Sequence, residues 1–363
     1  MADGLEQFIL EATGASHFRV EQDLGSGFVR LEISEAERRQ ALQDIRSSED
    51  IVLELLRNSR DAQARHIFLA FGREENVRKF VVIDDGCGIP ATMHETVFEP
   101  RVTSKLESSH IDKWGYHGRG MALYSISVNA KMAKILASAP SMGAAIAVQT
   151  DLNSLPEKKD QSTFPRFELG DEGTVNVRGP RNIIRAACEF AIETHGECDV
   201  FAGSTTEIAA ALYLLGNETL SATDKTFLLP EDLPITKRLS VAATPDQFAT
   251  IAETLGLEMS SRSARRIMDG EIPPPENLLS QIKIGLCESS ANSPKPSKTS
   301  MLHRVTSRAI SISNEDRIFL RDSLMFAFEE LSRRYYLESD VDPSISVGQD
   351  AIRISIPLIP KQD

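Results

Sequence analysis

The 363-residue chain has no run of eighteen or so apolar residues, and its first residues, Met1-Ala-Asp-Gly-Leu-Glu6, hold no basic stretch ahead of an apolar one. Neither a membrane span nor a secretion leader is therefore expected. Cysteine is scarce: Cys87, Cys188, Cys198 and Cys287 lie far apart with no Cys-x-x-Cys pair. That spacing argues against a zinc site and against a disulfide framework, and leaves reduced thiols in a cytoplasmic protein as the expectation. Positive charge is also in deficit. A formal net charge of -13 repels nucleic-acid phosphates at long range, so any DNA or RNA contact would need a local basic patch. Two familiar phosphate-binding signatures are missing as well. No Gly-rich stretch ends in the Lys-Ser or Lys-Thr of a P-loop, and the strand, glycine and acid order of a dinucleotide site is wrong here.

What is present is globular and multi-part. Hydrophobic residues at 41 % and charged residues at 26 % lie near the averages for folded domains, so most of the chain should fold, as two or three domains. Three pieces of the first half stand out. They are Glu54-Leu-Leu-Arg-Asn58-Ser-Arg-Asp61-Ala62, Asp84-Asp-Gly86-Cys-Gly88-Ile-Pro90 and Gly115-Tyr-His-Gly118-Arg-Gly120. Each alone is weak, because a short Gly-rich run is usually a turn; in this order within about seventy residues they point to an ATP pocket.

The local patterns place these pieces on elements. Phe18 to Ile33 reads as two strands about Gly25-Ser-Gly27, and Glu35 to Ile45 as a helix. A second helix begins at Ser47-Ser48, with Ser48 as its cap and Ile51, Val52, Leu55 and Leu56 as its apolar stripe. Glu54 and Asn58, four apart, then share one face of that helix. Strands over His66 to Phe71 and Lys79 to Ile83 follow, the second delivering Asp84 at its end. The chain is irregular to about Trp114, and a helix opens over Gly120 to Val128. Lys134 to Ser138, Ala144 to Thr150 and Gly173 to Val177 read as further strands, and Arg181 to Thr194 as a long helix. The mixed order predicts an α/β (α+β) sandwich, a mixed sheet covered by helices on one face.

The chemistry follows from residue types. Adenine's exocyclic amine needs a carboxylate acceptor, which a strand-end Asp84 followed by Gly86 and Gly88 supplies while the base comes close to the backbone. A triphosphate needs backbone N-H groups at a helix start, as Gly115, Gly118 and Gly120 ahead of Met121-Ala-Leu offer. Magnesium (Mg2+) takes hard oxygen ligands, and the Asn58 side-chain amide provides one. Hydrolysis needs a base to orient water near the terminal phosphate, and Glu54 sits one turn before Asn58.

The first two pieces closely resemble the N and G1 boxes of the GHKL ATPase superfamily, with wording nearest MutL. Thr103-Ser104-Lys105 resembles the MutL lid, whereas Val97-Phe98-Glu99-Pro100 and the extra glycine of Gly118-Arg-Gly120 are similar to sensor histidine kinases. Gly173-Thr174 occupies the place of the superfamily's late Gly-Thr. The resemblance covers about residues 45 to 190. It implies a Bergerat-type two-layer sandwich over residues 1–190 that binds ATP and Mg2+. Glu54 would be the general base and Asn58 the metal ligand; Asp61, Asp84, Gly86, Gly88, Gly115, Gly118, Gly120 and Thr174 would lie about the nucleotide, with Thr103, Ser104 and Lys105 in a lid. Kinases of the superfamily do not need that glutamate, and no His followed by an acid precedes it on a helix, His17 reading as structural; both observations favour an ATPase over a histidine-kinase-like protein kinase.

The second half is less explicit. Residues 191–287 read as mostly helical, with a strand about Asp199 to Ala202, a helix over Thr206 to Leu215 and a helix-turn-helix-like segment at 248–267 carrying Arg262, Arg265 and Arg266. Residues 288–300 read as a linker. The 301–363 tail reads as a small α/β region: a strand at Arg308 to Ser313, an amphipathic helix over Asp316 to Tyr336 and a strand over Ala351 to Ile359. The expected partners are ATP and, in an ATP-dependent step, a second copy of the chain; no protein or DNA partner and no membrane is assigned. A nucleotide-gated regulatory or DNA-binding module with negligible hydrolysis is the alternative of another class.

Overall fold

The computed structural model describes residues 20–104, 110–112, 115–117, 120–169, 175–282, 328, 344–347 and 352–355. An antiparallel hairpin of β1 (Val20–Gly25) and β2 (Phe28–Leu31) comes first. Gly25, Ser26 and Gly27 turn it at φ of 78, 54 and 80°, a left-handed conformation that glycine adopts without a Cβ penalty. α1 (Glu35–Asp44) is closed by a capping box between Ser34 and Glu37. α2 (Ser48–Asp61) starts one residue earlier than the expected Ser48 cap. Ser47 is the N-cap, and Ser48 is a buried residue of the first turn; the Asp50 carboxylate accepts from the N-H groups of Arg46 and Ser47.

β3 (His66–Glu74) and β4 (Val77–Asp84) form a hairpin, and short β5 (Val102–Thr103) pairs with β2. β6 (His110–Asp112) pairs with β7 (Gly115–His117), then α3 (Ala122–Asn129), β8 (Met132–Ser138) and β9 (Ala144–Asp151) complete the first half. A hairpin of β10 (Arg166–Leu169) and β11 (Val175–Arg178) leads into α4 (Ile183–Glu193) and β12 (Asp199–Gly203). The central sheet has the order β12-β3-β4-β9-β8, antiparallel throughout except that β12 runs parallel to β3.

The sheet is apolar on both faces because β4 has few polar breaks, and each face has its own cover. Ile67, Leu69, Phe80, Val82, Ile146 and Val200 pack against Val52, Leu55 and Leu56 of α2 and Ile183, Ala187 and Phe190 of α4. This is the sandwich expected from the first half. The alternate residues Phe68, Ala70, Val81, Ile83, Ala145 and Ala147 point the other way, as the period-2 geometry of strands requires. They meet α5 (Thr205–Thr219), the 3-10 turn Ile235–Val241, α7 (Pro245–Thr254) and α8 (Ser261–Met268), with α6 (Ala222–Phe227) between. Residues beyond 203 thus add a third layer to the expected sandwich. No break in packing falls near residue 190, since β12 is an edge strand and Leu278 and Ile282 return to the first core.

The residues up to Asn292 make one compact unit and Ser293–Asp363 a second. In the second, β13 (Ser344–Val347) pairs antiparallel with β14 (Ile352–Ser355), inside the strand expected over Ala351 to Ile359. Of the helix expected over Asp316 to Tyr336, Phe328 alone is described, helical and buried. The expected strand at Arg308 to Ser313 and the 288–300 linker lie outside the described residues.

Candidate functional site

α2 presents one stripe to a cavity of about 740 Å³, within the usual range for ligand sites. Glu54, Arg57, Asn58, Asp61 and Ala62 all line it, at the i, i+3, i+4, i+7, i+8 spacing that puts side chains on one helical face. The helix is held at this angle by the opposite stripe: Ile51, Val52, Leu55 and Leu56 are at most 1 % exposed. Asp84, Gly88, Thr103, Ser104 and Gly120 line the same cavity. The fold thus gathers residues from four separated stretches of sequence at one place.

Asp84 sits at the end of β4, 3 % exposed. Its Oδ2 accepts from Ser59 Oγ at 2.8 Å and its Oδ1 from the Gly86 N-H at 2.9 Å. Burial pushes its carboxyl up to about 6, outweighing these donors and the Ala144 backbone N-H, and the charge of Asp85 pushes the same way. A further donor reaching this carboxylate from a ligand would offset that desolvation. The neighbouring Asp85 has a different task. It faces away from the stripe and closes the start of β3, accepting from the Arg65 and His66 N-H groups at 2.7 and 2.8 Å and from the His66 ring at 2.7 Å. Burial opposes its charge, but the His66 ring and backbone donors outweigh burial and hold it below the usual carboxylate range. The same ring contact raises the pKa of His66.

The glycines act through close chain approach. A Cβ on Gly86 would lie 2.7 Å from the Ala62 carbonyl oxygen and 3.1 Å from Asp84 Oδ1, so the bare residue is what lets its N-H reach the carboxylate. Gly88, at φ +69°, faces the Ala139 carbonyl oxygen, which a Cβ would meet at 2.0 Å. These contacts seat the 85–90 loop against the turn between β8 and β9, where Ser141 N-H donates to Cys87 O at 2.7 Å. Gly120, at φ +68°, packs on the Val102 carbonyl and accepts from Arg101 N-H at 2.9 Å. It thereby brings the start of α3, with Met121, Ala122 and Leu123, to the cavity beside Thr103 and Ser104. A helix N-terminus next to a cavity favours anions there. Gly115 lies in β7; Lys105, Gly118, Gly173 and Thr174 lie outside the described residues.

Glu54 is 18 % exposed at its side chain and makes an ion pair with Arg57 Nη1 at 2.5 Å. Asp61 pairs with Arg60 at 3.0 Å. The sequence reading missed Ser59 and Arg57, and both were within reach of the helical wheel: Ser59 follows Asn58 and turns toward β4, and Arg57 is i+3 from Glu54. It also missed Met121, Leu123 and Ala144 as cavity walls, which depend on how β9 and α3 pack.

A family model described as histidine kinase-, DNA gyrase B- and HSP90-like ATPase matches residues 45–169. This segment belongs to the GHKL ATPase superfamily. The match spans α2 with Glu54 and Asn58, the Asp84 loop and the Gly120 turn, so the matched segment carries most of the cavity wall, and ATP binding is the property its class supports. No curated protein matches the chain.

Magnesium commonly accompanies ATP in such domains, and the residues present fit it. Asn58 Nδ2 is buried and has no hydrogen-bond partner, so its carboxamide is not tied to a protein acceptor and can turn its oxygen to a cation. Among the described residues no group of three or more His, Cys, Asp or Glu could hold a metal. A magnesium ion here would therefore rely on phosphate oxygens and water besides Asn58. No helix among the described residues is long and apolar enough to cross a membrane.

The helix-turn-helix-like segment is docked on the sheet. Ala252, Leu255, Leu257, Ala264 and Ile267 are buried in the outer core, and a Cβ on Gly256 would meet Leu136 Cδ1 at 2.4 Å. Arg262, Arg265 and Arg266 remain exposed. They share the surface with Asp269 and Glu271, and Arg266 pairs with Glu271 at 2.9 Å.

Proposed function

We propose that this protein is a magnesium-dependent ATPase of the GHKL type. In this reading Asp84 accepts from the adenine amine, and Gly86 and Gly88 shape the wall beside the base. Asn58 would hold magnesium, which neutralises phosphate charge when bound, and the start of α3 would face the phosphates. Glu54 would orient and deprotonate the attacking water. Thr103 and Ser104 stand at the cavity edge and would close over the phosphates together with Lys105. Asp61 and Gly118, Gly115 and Thr174 complete the proposed nucleotide set. The cycle would end in a conformational switch, with an ATP-dependent homodimer as the assembled state.

The observation that carries the reading is the helical stripe. Glu54 and Asn58 meet Asp84 across one cavity, which gives a base, a metal ligand and an adenine acceptor a common site. A nucleotide-gated module without turnover would have no use for Glu54 in that position.

ATP turnover by wild type and Glu54→Ala, with and without DNA, tests it. The variant should still bind ATP while its turnover falls by about a hundredfold or more, the usual weight of a general base. Equal turnover by the two proteins would remove Glu54 from the role.

A further inference from the structure

We propose that Arg57 is the positioning residue for the Glu54 carboxylate. The proposal rests on the reading of Glu54 as the base and adds what holds that base in place. Three observations carry it. Arg57 lies one turn after Glu54 on α2, and Nη1 stands 2.5 Å from Glu54 Oε1. The guanidinium side chain is only 4 % exposed, so the pair is drawn together in a poorly solvated wall where attraction is screened little. Both residues line the cavity.

A glutamate has three side-chain torsions, and a base that wanders over them is seldom aligned with its water. An ion pair with a buried, rigid guanidinium removes that freedom. The same contact sets a positive charge beside the carboxylate in a cavity crowded with acids. Glu37 and Asp44 of α1 line it, as do Asp50 and Asp61 on α2 and Asp84 beyond, and each carboxylate would favour protonation of Glu54. Arg57 is a cation in contact with it. Oε1 of Glu54 is the oxygen that meets Arg57 Nη1.

The sequence alone hides this, since an arginine inside a helix is most often a solvated charge. Burial to 3 % exposure is what separates Arg57 from that case.

The test compares Arg57→Met, Arg57→Gln and Arg57→Lys with wild type, measuring ATP affinity and the pH dependence of kcat. Arg57→Met should keep ATP affinity within about threefold, while kcat falls about 10- to 100-fold. The acid limb of the kcat profile should move up by about one pH unit, because the carboxylate loses a cation in direct contact with it. Arg57→Lys should recover part of kcat and return the limb toward the wild-type position. A purely structural role would lower kcat without moving the limb. If Arg57→Met fails to fold, the remaining pair decides: Arg57→Gln should have the higher limb, and identical limbs overturn the proposal. So does a wild-type kcat and limb in Arg57→Met. Glu54→Gln run alongside separates the two ideas. If it hydrolyses ATP like wild type, the base assignment falls and the positioning role with it. If it is inactive while the Arg57 variants keep a wild-type profile, only the positioning role falls.

Discussion

At the scale of single residues, adjacent aspartates at the end of β4 are put to opposite uses. Asp85 is outward, surrounded by donors and held in its charged form; Asp84 is inward, with a burial cost that outweighs its donors and lifts its carboxyl to about 6. The sign of the consequence can be worked out. A carboxyl whose folded value lies above its unfolded one favours folding when protonated, so its contribution is fully present at low pH and is lost as pH rises from about 4 through about 6. A ligand amine that donates to Asp84 needs the charged form and must displace the proton below that range. Adenosine, which carries no phosphate of its own to titrate, should therefore bind with constant affinity above pH 7 and roughly tenfold more weakly per unit below pH 6. Titration calorimetry from pH 5 to 8 measures this. An affinity that stays flat down to pH 5 would detach Asp84 from the base, and Asp84→Asn should bind weakly without that dependence. The 85–90 loop supports this residue through Gly86, whose missing Cβ is what admits its N-H to the carboxylate.

At the scale of elements, the sheet is decided by β4, which is buried along both faces. Its alternating residues divide between two cores, one under α2 and α4 and one under α5, α7 and α8. The turn after α7 reaches farthest in, with Gly256 at φ +78° against Leu136 and Val81. Gly256→Ala must therefore both strain the backbone and push on a packed leucine, and should cost about 1–3 kcal/mol. Denaturant unfolding read at the aromatic side chains checks it. An unchanged midpoint would mean that the α7–α8 turn is not seated on the sheet. The elements carrying the three motifs were legible from sequence: α2 by its apolar stripe, β4 by its β-branched run and the Gly120 turn by the helix after it. The docking of α7 and α8 was not legible. Its signal, Ala252, Gly256 and Leu257 followed by an arginine-bearing helix, is the same whether the arginines meet nucleic acid or water. Only burial of the opposite face shows which side is packed.

At the scale of the whole molecule, the cavity is walled by α1, α2, β4, β5 and α3, all within the compact unit that ends at Asn292. Nucleotide bound there is linked to the stability of that unit. ATP with magnesium at a hundred times its Kd should stabilise it by about 2.7 kcal/mol, read as a rise in the unfolding temperature that Asp84→Asn abolishes. The same thermal midpoint with and without ATP would place the nucleotide elsewhere. The -13 net charge acts at this scale too, since it opposes nucleic acid at long range and leaves the three exposed arginines of α8 among acids of their own surface.

The sequence by itself determined the kind of pocket, because helical spacing fixes Glu54 and Asn58 on one face and a β-branched run ending in Asp-Asp-Gly fixes a carboxylate at a strand end. These are local geometries set within a few residues. Tertiary structure alone decided the rest: that Asp85 closes the start of β3 through His66, that Arg57 is buried against Glu54, and that residues 205–268 cover the second face of the sheet. Each of these depends on contacts between segments far apart in the chain, and no local pattern encodes which neighbour a side chain will meet.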